Sequence, residues 1–125
     1  MTPKRILICL VLAFAALAPV ALANDADVRR PGTCTGASSS KIKLSPENGR
    51  IEAEFEVDQN RNGVRWHVTM RRNGKRAVST NATTHRPSGS FEVRRVLGSR
   101  RGPDTIAARA KSPAGEVCTA RATIG

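Results

Sequence analysis

The chain has 125 residues, a formal net charge of +11 and an aromatic content of only 3%. That length allows one small domain, and so few rings keep its core small and leave little for nucleic-acid bases to stack on. The 21 basic residues, 16 of them Arg, outnumber 10 acids, which bears on solubility and anionic partners, not on fold.

Lys4 and Arg5 precede an apolar run from Ile6 to Leu22, and Ala21-Leu22-Ala23 matches an A-x-A cleavage site. This is the layout of a secretory signal peptide removed ahead of Asn24. A retained anchor is the alternative, but the run is about as short as a spanning helix can be, and Pro19 interrupts it. No later segment is apolar enough to span a bilayer. Cleavage removes Cys9, Lys4 and Arg5, which takes the net charge from +11 to +9 and keeps Cys34 and Cys118. An even pair of cysteines in an exported chain reads as a disulfide. Residues 1–23 are therefore expected to be a signal helix, 24–33 a flexible polar arm, and 34–125 the folded domain.

After Cys34 the pattern alternates with period two and is broken by turn residues about every 8–12 positions, the mark of an all-β domain. Lys41 to Leu44 opens the series, and Pro46-Glu47-Asn48-Gly49 turns it. Ile51, Ala53, Phe55 and Val57 share one face of the next strand, with Glu52, Glu54 and Glu56 on the other. Past Asn60-Arg61-Asn62-Gly63, the residues Val64, Trp66, Val68 and Met70 point inward, against Arg65, His67, Thr69 and Arg71 outward. Asn73-Gly74 is a two-residue hairpin signal, because both positions tolerate positive φ. The return strand, Lys75 to about Thr83, alternates weakly and is expected at an edge or partly irregular. Phe91 and Val93 point inward after Arg86-Pro87-Ser88-Gly89, and Val96-Leu97 breaks register, which marks a bulge or short connection. Ile106, Ala108 and Ala110 oppose Thr105, Ala107, Arg109 and Lys111. In the last strand Cys118, Ala120, Ala122 and Ile124 oppose Val117, Thr119 and Arg121. Seven short strands with an inward Trp on the third predict a seven-stranded, immunoglobulin-like antiparallel sandwich. The cysteines depart from that pattern, since they flank the first strand and lie on the last.

The succession Cys34, Gly49-Arg50-Ile51-Glu52, Phe55-Glu56-Val57-Asp58, Arg65-Trp66, Arg72-Asn73-Gly74, Ser88-Gly89-Ser90-Phe91, Ala108-Arg109-Ala110 and Gly115-Glu116-Val117-Cys118 resembles a family of small secreted actinobacterial immunoglobulin-like β-sandwich proteins of unknown function. The likeness spans nearly the whole mature chain. It implies the fold and export, and it implies no activity, because the matching residues are strand and turn positions.

Catalysis needs convergent groups of suitable proton affinity, and none assembles here. With Cys34 and Cys118 paired no thiol remains, and no Ser sits in a G-x-S-x-G elbow. His67 lies on an outer strand face with no acid near it in sequence, so it reads as a solvated histidine and not a general base. Glu52, Glu54 and Glu56 share a face, but an open one, and no Asp-rich loop completes a calcium shell. His67, Met70 and His85 do not form a copper site, since Met70 has the inward parity of a core residue. The expectation is a protein that is not an enzyme, with no metal and no cofactor.

Parity sorts the basic residues more informatively. In the sandwich the third, sixth and seventh strands share one sheet. Their outward positions hold Arg65, Arg71, Arg109, Lys111 and Arg121, and Arg72, Lys75 and Arg76 crowd the adjoining hairpin. The other sheet mixes Lys41, Lys43 and Arg94 with Glu52, Glu54, Glu56 and Glu92. The eight basic residues on and beside the first of these sheets are the predicted polyanion-binding set. No aromatic joins them, which argues against specific nucleic-acid recognition. The reading is a basic, secreted, monomeric, non-enzymatic module that binds an anionic polymer or cell-envelope surface. A small-molecule carrier or inhibitor of sandwich type, with a pocket beside Trp66, is the alternative.

Overall fold

The computed structural model describes residues 26–100 and 102–125. The signal segment expected at 1–23, the first two residues of the arm, and Arg101 lie outside them. The described chain forms nine strands and no helix. They are β1 (Val28–Pro31), β2 (Thr33–Cys34), β3 (Ser39–Glu47), β4 (Arg50–Asp58), β5 (Arg65–Arg72), β6 (Lys75–Thr83), β7 (Ser90–Ser99), β8 (Asp104–Lys111) and β9 (Val117–Ile124). They make two antiparallel sheets, one of four strands ordered β1-β3-β4-β7 and one of five ordered β2-β9-β8-β5-β6. The fold is all-β, and among the described residues no helix is long and apolar enough to cross a membrane.

The seven strands expected from alternation correspond to β3 to β9, and the expected inward residues are buried except Val64, which is half-buried just ahead of β5. Glu52, expected on an open face, is buried as well. Ile42, Leu44, Ile51, Phe55 and Val57 of one sheet join Trp66, Val68, Met70, Ile106 and Ala110 of the other in a single apolar cluster. Trp66 from β5 meets Phe91 from β7 with ring centroids 6.1 Å apart and planes tilted by 55°. Its indole Nε1 donates to Gln59 Oε1 at 3.1 Å, which satisfies the one polar group of a fully buried ring.

Strands β1 and β2 were not foreseen. They lie in the stretch expected as an arm and bring the count to nine instead of seven. Arg29-Arg30-Pro31 has no apolar alternation, so its pairing rests on backbone bonds to β3 and not on a buried face. The segment changes sheets at Gly32. A Cβ there would collide with Ser40 Oγ and the carbonyl oxygen of Thr119, so only glycine lets the crossing pass this close. Just beyond, Cys34 stands directly opposite Cys118. The two are joined by a disulfide with Cα atoms 4.0 Å apart and a sequence separation of 84.

The turns obey their residues. Asn48-Gly49 and Asn73-Gly74 both hold positive φ at each position (47° and 76°, 49° and 83°), as two-residue hairpin turns require. The weak alternation of β6 has a cause. Its register against β5 shifts between Met70 and Arg71, leaving Ala77 unopposed, and β6 is the edge strand. The register break expected at Val96-Leu97 falls next to that pair: Leu97 opposes Ile51, Ser99 opposes Arg50, and Gly98 has no opposite residue. The strand runs on through it.

Candidate functional site

The outer faces of the two sheets carry opposite electrostatic arrangements. On the four-stranded sheet the central strand β4 presents Glu52, Glu54 and Glu56, and its neighbours present cations opposite them. Lys41 Nζ lies 3.6 Å from Glu56, Lys43 Nζ 3.1 Å from Glu54, and Arg94 reaches Glu52 at 2.6 Å and Glu54 at 3.7 Å. The hydrogen bond from Arg94 holds the Glu52 carboxyl below the usual carboxylate range, against the opposing effect of burial. A depressed carboxyl pKa contributes stability that is complete at neutral pH and is lost only as the pH falls through that lowered value. Cross-strand pairs of this kind are the sheet's own stabilising units, and they engage Lys41, Lys43 and Arg94.

The five-stranded sheet offers no such partners. Its strands contain a single acid, Asp104, which is 1% exposed. Arg65, Arg71, Arg109, Lys111 and Arg121 are all exposed on its outer face, and among the described residues none of them lies in an ion pair. Strand register fixes their relative places. Arg71 and Arg121 flank Ala107 across three strands, Arg109 stands between Thr69 and Thr119, and Lys111 lies beside His67. Three shallow depressions run over this face. The middle one, of about 480 Å³, is lined by Thr69, Arg71, Ala107, Arg109, Thr119 and Arg121, and is bounded by Pro31, Gly32 and Thr33 from the crossing segment. The second shares Arg109 and adds Arg65, His67 and Lys111. The third shares Arg71, Ala107 and Arg121 and adds Thr105.

Not all eight predicted residues belong to this set. Arg76 opposes Arg71 and starts on the same face, whereas Lys75 opposes Arg72 on the other parity. Arg72 is a correction. Its side chain is 18% exposed and turns away from the positive face to meet Asp104 at 3.0 Å, with a further bond to the carbonyl of Ser99. Asn73 completes the arrangement, donating from Nδ2 to Asp104 at 3.0 Å and accepting from the Thr105 backbone at 2.8 Å. Adjacent arginines alternate faces on a strand, and a buried carboxylate decides which one is structural. Nothing in the sequence near Arg72 marks Asp104, 32 positions away, as its partner. The adjacent pair offers a clean test by chemical denaturation. Arg72→Ala is expected to lower stability by about 2 kcal/mol, since it strips a charged hydrogen bond from a buried acid. Arg71→Ala should change it by no more than about 0.5 kcal/mol.

The remaining candidates stay apart. His67 is exposed and bonded through Nδ1 to Asn81 Oδ1 at 3.2 Å, while Met70 is fully buried beneath the sheet. Among the described residues no three His, Cys, Asp or Glu side chains come together as a metal set. No family model matches the chain, and no curated protein or solved structure matches it either. The functional reading therefore rests on geometry.

Proposed function

We propose that this chain is an exported, monomeric, immunoglobulin-like sandwich domain, non-enzymatic, that binds an anionic polymer or envelope surface through the outer face of its five-stranded sheet. One observation carries the reading: Lys41, Lys43 and Arg94 on the four-stranded face lie against the protein's own carboxylates, and among the described residues the five cations of the five-stranded face lie against none. Such a face attracts polyanions by releasing their condensed counterions. The resemblance to small secreted actinobacterial sandwich proteins accords with export. A pocket flanked by Trp66 would favour the carrier alternative, and that ring is completely buried.

The test is charge reversal at Arg71, Arg109 and Arg121 together, all three to Glu. Binding to isolated envelope or to an immobilised polyanion should disappear, while the unfolding midpoint stays near that of the parent, because each site faces solvent. For the parent protein, the logarithm of the affinity should fall linearly with the logarithm of salt concentration. Undiminished binding by the triple variant, or binding indifferent to salt, would leave the charge as a solubility feature only.

A further inference from the structure

We infer that the positive face is a trough for an extended phosphodiester chain lying along β8, with its anionic groups seated one per pair of residues. This rests on the polyanion reading above and specifies the polymer. The three depressions adjoin one another, since the middle one shares Arg109 with one neighbour and Arg71, Ala107 and Arg121 with the other. Together they follow the outward residues of β8 from Lys111 through Arg109 and Ala107 to Thr105. At about 3.3 Å per residue that path is about 20 Å long, and the two strand spacings from β5 to β9 make it about 10 Å wide. A shallow strip of that length and width accepts one extended strand. It does not match a branched or globular anion.

The cations along it fall into three stations. Lys111 with Arg65 forms the first, Arg109 the second, and Arg71 with Arg121, facing each other across Ala107, the third. Successive stations are two residues apart along β8, about 6–7 Å, an interval comparable to that between successive phosphates of an extended phosphodiester backbone. Four of the five cations are guanidinium groups, whose planar fork pairs with phosphate through two parallel hydrogen bonds. The hydroxyls of Thr69 and Thr119 flank the middle station, where each can donate to a phosphate oxygen. Phe55, Trp66 and Phe91 are all buried, so among the described residues no Phe or Trp ring is available for a base or sugar to stack on. The exposed imidazole of His67, at one end of the trough beside Lys111, is the one aromatic ring on this face. Recognition rests mainly on the backbone of the polymer.

Ala107 is the key to the test, since its small side chain forms the floor between Arg71 and Arg121. Ala107→Phe fills the trough without altering the charge of the face, and Ala107→Gln repeats the test with a smaller plug should the first variant fold poorly. The probes are abasic deoxyribose-phosphate strands with one, two, three, four and eight phosphates, and an oligouronate of matched charge. Affinity for the abasic strands should climb steeply to three or four phosphates and then flatten. Both Ala107 variants should lose at least tenfold in affinity for the three-phosphate strand. Affinity that climbs evenly to eight phosphates, or an Ala107 variant that binds like the parent, overturns the trough and leaves diffuse attraction to the face intact. Tighter binding of the oligouronate overturns the assignment to phosphate. If neither polymer binds even at low salt, the polyanion reading falls with it.

Discussion

Replacing both Cys34 and Cys118 by alanine is expected to remove about 4–5 kcal/mol of stability. The bond closes a loop over a sequence separation of 84, and the chain-entropy account of cross-linking assigns a loop of that size about this much, acting on the unfolded chain. Domains of this size are stable by only about 5–15 kcal/mol, so the variant should unfold at markedly lower urea concentration and lower temperature. Alanine is the better replacement because Cys118 is fully buried, and serine would add the cost of an unpaired hydroxyl to the effect being measured. Reduction of the parent protein should reproduce the loss. A double-alanine protein with an unchanged urea midpoint would mean that β2 and β9 hold together without the covalent link.

Trp66→Ala should cost about 3–5 kcal/mol. The ring is fully buried, touches Phe91 from the opposite sheet, and spends its only polar group on Gln59. Around it the core is largely aliphatic, with Phe55, Met70 and Phe91 its other large side chains, and such a close-packed cluster collapses only partly into the space an indole leaves. Trp66→Phe retains most of the volume and should lose much less, which separates packing from a general intolerance at this position. Emission of the parent tryptophan should be blue-shifted and should move to the red on unfolding. Water-exposed emission from the folded protein would require β5 to be shifted by one residue, with Arg65 and His67 turned into the core.

Strand parity was the most legible property of this chain because burial on one side of a sheet imposes a period of two. From Lys41 onward the alternation of Phe55 with Glu54 and Glu56, or of Trp66 with Arg65 and His67, is enough to assign faces, and the carboxylate ladder of β4 against Lys41, Lys43 and Arg94 follows from it. The same logic places Arg71, Arg109 and Arg121 together. It fails where backbone and not side-chain burial makes the pairing, as at Arg29-Arg30-Pro31 in β1. At Arg72 it gives the direction, opposite to that of Arg71, but not the partner, Asp104, which lies on a strand distant in sequence. The positions of Gly32 and Ala107 carry no signal of their own, because what makes them matter is a neighbouring strand: a close crossing in one case, a gap between two arginines in the other.

The placing of the disulfide also governs how the domain responds to mechanical force. Tension applied between the start of β1 and the end of β9 enters at Val28, passes along the chain to Cys34, crosses the sulfur–sulfur bond to Cys118, and leaves through Ile124. The loop between the cysteines, which includes β3 through β8, lies off this covalent path and is loaded only through the pairing of β3 with β1 and of β8 with β9. Pulling can strip β1 from β3 and peel the last residues of β9 from β8, but it cannot extend the enclosed loop while the bond is intact. Arg71, Arg109 and Lys111 ride on that shielded loop and Arg121 does not, so a domain stretched between two attachments would keep most of its charged face in place and surrender one edge of it first.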